Sequence, residues 1–132
     1  MSVYSVEIVT PIRELKLDDV GYLRCPGLDG LFGIMNDHRE GIFALTVGEI
    51  KLSQNGKSEY YATGGGFAEI YKGSVKLLVE SLEKSSEIDS GRAKASLERA
   101  QHRKTEQNSE INDVRVEASL VRALNRLRVS KR

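Results

Sequence analysis

The sequence has no tryptophan, one cysteine, two prolines and two histidines among 132 residues. With one thiol, Cys25, an internal disulfide framework is excluded, and a reducing compartment fits. Scattered along the chain, Cys25 and the two histidines do not make a zinc site. Apolar runs are short, nowhere near the roughly 18–20 residues that a membrane helix needs. Met1-Ser2-Val3-Tyr4 has neither a basic nor an apolar leader, so export is not expected. No aromatic residue follows Tyr71, which removes the stacking platforms that RNA-binding proteins favour. The sequence pattern offers no nucleophile–base pair, paired acids or metal cluster, which makes an enzyme the least favoured class. A net charge of +1 carries no information about partners by itself.

What is present is divided unevenly. Residues 1–82 carry 8 basic against 11 acidic side chains, and residues 83–132 carry 12 against 8. Eleven of the twelve glycines lie between Gly21 and Gly73, and both prolines, Pro11 and Pro26, fall in the same part. This is the composition of a turn-rich β unit followed by a helical one, with the seam near Glu83 to Glu87. Alternating runs begin with Tyr4, Val6 and Ile8. Val20 to Cys25, Ile42 to Val47, Glu49 to Leu52, Glu59 to Ala62, Phe67 to Tyr71 and Val75 to Glu80 follow, at the spacing of an all-β domain. Gly48, Gln54-Asn55-Gly56 and Lys72-Gly73-Ser74 are turn candidates. The expected fold is therefore α+β in two parts. Residues 1–84 form an antiparallel β-sandwich or flattened barrel with sequential neighbours paired, and residues 85–132 form an antiparallel helical hairpin. Gly64-Gly65-Gly66 runs into a strand and lacks the Gly-Lys-Ser/Thr of a phosphate loop, so a bulge or close backbone approach is expected. His38 reads as a loop or packing histidine, and Cys25 has no base beside it.

Good helix formers fill Arg92 to Ala100, with Asp89 placed to cap the first turn. Thr105 to Asn112 reads as the connection. Asp113 is placed to cap a second helix running to about Val129, with Val114, Ala118, Val121 and Leu124 on its apolar stripe. Arg92, Arg99 and Arg103 fall within about 20° of one line on the first helix. Arg115, Arg122 and Arg126 repeat the spacing on the second. Folding the hairpin about residue 109 brings Arg92 level with Arg126, so that three or four guanidiniums converge at the open end. Such charges repel, and an anion turns that repulsion into bidentate binding. The plain alternative is two solvated helix faces.

The chain also resembles a known family over essentially its whole length. The matching segments are Val9-Thr10-Pro11, Gly30-Leu31-Phe32-Gly33-Ile34, the loop with His38, Gly64-Gly65-Gly66-Phe67-Ala68-Glu69-Ile70, Val75-Lys76-Leu77-Leu78-Val79 and Arg122-Ala123-Leu124-Asn125-Arg126-Leu127. Their order and spacing resemble the epsilon-subunit family of the bacterial rotary ATP synthases. Ile88-Asp89-Ser90-Gly91-Arg92-Ala93 is similar to the I/L-D-x-x-R-A motif of ATP-binding members. The resemblance implies an ATP site of Ile88, Asp89, Arg92 and Ala93, supported by Glu83, Arg99, Arg122 and Arg126. Asp89 and the backbone around Arg92 and Ala93 would read the adenine edge, and the arginines would hold phosphates. Magnesium stays open, because only Glu83 and Asp89 are hard ligands.

The same resemblance implies a non-catalytic central-stalk subunit at the cytoplasmic face of the inner membrane, attached only through the complex. Its implied partners are the gamma subunit, the c-ring, and the beta and alpha subunits, with no nucleic acid. The hairpin would inhibit ATP hydrolysis when extended, with Arg115, Arg122, Arg126 and Arg128 as contact candidates, and would bind ATP when folded. Three positions depart from the family pattern. Leu31 stands where an acidic residue is common, Asn36-Asp37-His38 leads to Glu40 instead of a proline-bounded loop, and Gly91 replaces a stronger helix former. The rivals are the same subunit without ATP sensing, and a free-standing nucleotide or polyanion module.

Overall fold

The computed structural model describes residues 3–106 and 110–132. Nine strands precede a short 3-10 turn and two helices. They are β1 (Tyr4–Val9), β2 (Glu14–Gly27), β3 (Gly30–Ile34), β4 (Gly41–Leu45), β5 (Gly48–Gln54), β6 (Lys57–Thr63), β7 (Gly66–Tyr71), β8 (Ser74–Val79) and β9 (Leu82–Lys84). The 3-10 turn is Ser85–Glu87, followed by α1 (Ser90–Glu106) and α2 (Glu110–Ser130). The two-part α+β architecture is the one that the composition shift predicts.

The strand order is β1-β8-β7-β4-β2-β5-β6-β9, with β3 on β2 and a further β1–β2 pairing that closes the first layer. The 14-residue β2 serves both layers, pairing with β1 through Glu14 to Val20 and with β5 through Val20 to Arg24. Period-two burial drives this arrangement. In β1 the buried residues are Tyr4, Val6 and Ile8, and in β8 they are Val75, Leu77 and Val79. They meet Val20, Leu23, Cys25, Ile50, Leu52 and Tyr61 in one core.

Several expectations are corrected here. Pairing is neither wholly sequential nor wholly antiparallel, because β1 runs parallel to β8, Val6 beside Val75 and Ile8 beside Leu77. Gly48 is not a hairpin turn. It opens β5, and β4 pairs with β7 instead. The short strands β3 and β9 were outside the predicted runs, the first because its glycines break the alternation. Two turns form as expected: Asn55-Gly56 and Lys72-Gly73 all have positive φ, the geometry of two-residue hairpin loops. The glycine triplet is a close approach. A Cβ at Gly66 would lie 2.0 Å from the Leu78 carbonyl oxygen. His38 packs edge-on against Phe43, with ring centroids 5.5 Å apart.

The helices are longer than predicted. α2 starts at Glu110, so Asp113 is an interior position and not the cap. Of the expected Thr105–Asn112 connection, the first two residues belong to α1 and the last three to α2, and residues 107–109 lie outside the described residues. The buried face of α2 also differs from the expected stripe. Val116, Ala123 and Val129 are buried, whereas Val114 is 74%, Val121 50% and Leu124 37% exposed. The inward face is the stripe Val116, Leu120, Ala123 and Leu127, at nearly the same helical spacing as Val114, Ala118, Val121 and Leu124 but two residues on, and Ala93 and Ala100 of α1 are buried with it.

Candidate anion cleft of the helical hairpin

The hairpin is fixed to the sandwich by one small apolar cluster and several polar contacts. Ile88 and Ala93 at the start of α1 join Val129 of α2 and Ala62 of β6, with Tyr60 and Leu127 against them. Asp89 caps α1, its Oδ1 accepting the Arg92 N–H at 3.0 Å, as its position before the helix predicts. Arg126 Nε and Nη2 donate to the two carboxylate oxygens of Glu83 on β9 at 2.7 and 2.9 Å. Asn125 donates to the Gly48 carbonyl at 2.8 Å. Arg132 donates twice to Glu49, which also accepts from Arg24, and its guanidinium lies 4.6 Å from the Tyr60 ring centre.

Between the helices lies a cleft of about 260 Å³, lined by Ser96, Arg99, Arg103, Ser119, Arg122, Ala123 and Arg126. The repeated arginine spacing predicts three or four guanidiniums at the open end of the hairpin. Four line this cleft, but it lies between residues 96–103 and 119–126 and so nearer the middle, and the set differs. Arg103 takes part, and Arg92, expected level with Arg126, is not in the lining. The register explains the exchange. Lys104 forms an ion pair with Glu117, and Ala93 shares its cluster with Val129. Both pairs centre near residue 111, not 109. That shift moves the level of Arg126 from Arg92 to Ser96. Arg99 donates to Ser96 Oγ at 3.0 Å, and Arg122 to Ser119 Oγ at 3.4 Å.

The residues named from the motif therefore divide into two groups. Arg99, Arg122 and Arg126 line the cleft, and Glu83 reaches its edge through Arg126. A smaller crevice beside it is lined by Glu83, Arg122 and Arg126 together with Ala62 and Thr63. Ile88 and Ala93 are buried in the docking cluster, Asp89 holds the helix cap, and Arg92 is exposed at the helix start. Arg115 and Arg128 are exposed on α2 outside the cleft. Ser96 and Ser119 were missed, although their place three residues before Arg99 and Arg122 is readable in the sequence. Cys25 is buried in the sandwich core, where loss of solvation pushes its thiol up to about 12 and makes it inert as a nucleophile.

Residues 3–85 match the beta-sandwich domain of the ATP synthase delta/epsilon chain, and residues 86–131 match its long alpha-helix domain. The ATP synthase epsilon chain of Nitratidesulfovibrio vulgaris (strain DP4) is 37% identical over 98 residues, covering 74% of this chain and 73% of that one. The epsilon chain of Syntrophomonas wolfei is 38% identical over 103 residues, covering 77% and 75%. A chain in the Euglena gracilis mitochondrial ATP synthase superposes with a TM-score of 0.82 at 22% identity, covering 92% of this chain and 77% of that one. A chain of the Tetrahymena thermophila central stalk and c-ring assembly gives 0.65 at 14% identity, covering 96% and 95%. The protein belongs to the ATP synthase delta/epsilon chain family and is of the epsilon type.

Proposed function

We propose that the hairpin is an ATP-responsive regulator of the synthase, and that the sandwich is its anchor on the rotor. In this reading the sandwich docks on the gamma subunit and touches the c-ring at the cytoplasmic face of the inner membrane. No helix among the described residues is long and apolar enough to cross a membrane, which agrees with attachment through the complex. The observation that carries the ATP reading is the cleft itself. Four arginines line one space, and like charges gathered there repel, though solvent screens the repulsion where the side chains are exposed. A polyphosphate removes that repulsion and accepts charge-assisted hydrogen bonds.

Ligand binding to the folded hairpin alone stabilises it by RT ln(1 + [ATP]/Kd), about 2.7 kcal/mol at a hundredfold excess. When ATP falls, the hairpin leaves the sandwich and extends along gamma toward the beta and alpha subunits. There Arg115, Arg122, Arg126 and Arg128 meet acidic surface and hydrolysis stops. The exposed Val114, Val121 and Leu124 supply an apolar row for the same encounter. Arg122 and Arg126 thus serve the ligand in one state and the partner in the other.

Calorimetric titration of ATP into the intact chain tests the ligand half. One-to-one binding that is lost in Arg99→Ala and Arg126→Ala supports it. Absence of binding at millimolar ATP removes the nucleotide trigger and leaves a stalk subunit whose arginines serve partner contacts only.

A further inference from the structure

The two helices carry one short sequence twice. Arg92-Ala93-Lys94-Ala95-Ser96-Leu97-Glu98-Arg99-Ala100-Gln101-His102-Arg103 recurs 23 residues later as Arg115-Val116-Glu117-Ala118-Ser119-Leu120-Val121-Arg122-Ala123-Leu124-Asn125-Arg126, with seven of twelve positions identical. The fold repeats with the sequence. Burial from residue 91 to 100 is the same, class by class, as from 114 to 123. Ala93 and Ala100 take the buried places of Val116 and Ala123, and each serine accepts a hydrogen bond from the arginine three residues on.

An antiparallel hairpin of two like helices has an approximate twofold axis across its seam. With the register centred near residue 111, Ser96 lies level with Arg126, Arg103 with Ser119, and Arg99 and Arg122 flank the axis. All six line the same cleft. Each end of the cleft thus has one serine and one arginine, with two further guanidiniums in the middle. Among the described residues, Arg126 alone of the four arginines meets a carboxylate, that of Glu83. The volume of about 260 Å³ is below the roughly 300–1,000 Å³ of pockets that enclose a drug-sized ligand, so it suits the phosphates of a nucleotide and not the whole molecule.

We infer that the cleft is a two-lobed oligophosphate site, built by helix duplication, for compact anions with two or more linked phosphoryl groups. Pyrophosphate and tripolyphosphate are its simplest ligands, each lobe taking one end phosphoryl group through a serine hydroxyl and an arginine, while Arg99 and Arg122 bridge the centre. This rests on the cleft invoked for ATP and deepens that reading. It makes the phosphate chain a sufficient ligand without a nucleoside, and adds Arg103, Ser96 and Ser119 to the contacts.

The test titrates sodium pyrophosphate, tripolyphosphate, orthophosphate and ATP separately into the intact chain, following heat and hairpin helicity. Pyrophosphate and tripolyphosphate are expected to bind one to one and more tightly than orthophosphate. Arg103→Gln should weaken both roughly tenfold or more, the cost of one charge-assisted hydrogen bond, and Arg103→Lys should weaken them less. Lys94→Gln, which removes one charge from the same helix outside the cleft, should change affinity less than twofold. Circular dichroism of each variant separates lost binding from lost folding. If ATP binds but neither oligophosphate does, the inference is overturned while the ATP reading stands. Unchanged affinity in a folded Arg103→Gln, or an equal loss in Lys94→Gln, also overturns it, because attraction is then diffuse. Binding by none of the four overturns both readings.

Discussion

Cys25 illustrates how one buried atom sets a chemical limit on the molecule. It lies in the sandwich core, and burial raises its thiol to about 12, well above the usual value for a free thiol. Burial pushes the Tyr4 and Tyr61 hydroxyls up as well, with the hydrogen bond to Glu59 adding to the effect at Tyr61. A group with a raised folded-state pKa keeps its proton longer in the native protein than in the unfolded chain. Stability is therefore fully present below the unfolded pKa and lost as pH rises toward the folded one. For Cys25 the window is about pH 9 to 12, with a slope of ~1.4 kcal/mol per pH unit. Denaturant midpoints taken between pH 8 and 10.5 should fall above pH 9, and less steeply in Cys25→Ala. Equal slopes in the two proteins would assign the loss to the tyrosines. On the opposite side, the hydrogen bonds from Lys84 and Tyr61 lower the Glu59 pKa, so its contribution is lost as pH falls. The residue scale is also where the sequence was most legible for the sandwich. Its glycine triplet and paired turns follow from residue types, since only glycine fits the space at Gly66.

At the scale of elements, α1 depends on its first turn. Asp89 supplies the cap, Gly91 follows, and Ala93 is completely buried. The Asp89→Ala change removes one accepted N–H bond and should cost ~0.5–2 kcal/mol. Hydrogen exchange provides the measurement. Amides of α1 and α2 should exchange faster in the variant, while those of β5 and β8 should keep their wild-type rates. Acceleration throughout the chain would mean that hairpin and sandwich unfold together. The Glu83–Arg126 pair contributes less than its geometry suggests. Both side chains are about one-third exposed, and surface pairs contribute ~0–1 kcal/mol. The element scale is also where the sequence was read least well. The arginine spacing was plain, but the register was not, because the ion pair of Lys104 with Glu117 and the packing of Ala93 with Val129 join positions far apart in sequence. An error of two residues in the fold point exchanged Arg103 for Arg92. The apolar stripe was misassigned for a related reason. Two apolar stripes of similar helical spacing lie side by side on α2, one through Val114 and Val121 and one through Val116 and Ala123, and only contact with α1 and the sandwich decides which is buried.

For the whole molecule, the division between sandwich and hairpin was clear from the distribution of glycine and charge, while the strand order was not. Pairing of β1 with β8 and of β4 with β7 leaves no local mark, because alternation specifies which face of a strand is buried and not its neighbour. The sandwich core draws all of its members from residues 4 to 82. A chain ending at Glu87 should therefore fold by itself, with a thermal midpoint lower by about 4–8 °C per kcal/mol of hairpin contact removed. Failure of this fragment to give a cooperative transition would make the hairpin an integral part of the sandwich. The parallel β1–β8 pairing has a consequence for synthesis. The first strand lacks one of its two neighbours until Val79 has left the ribosome, so the sheet closes late and through distant contacts, a slow topology. At about 5–20 residues per second, the 53 residues beyond Val79 take several seconds more to be made. The nascent helices thus emerge while the surface that receives them is being completed, and a delay in closure exposes the β1 edge to neighbouring chains during that interval.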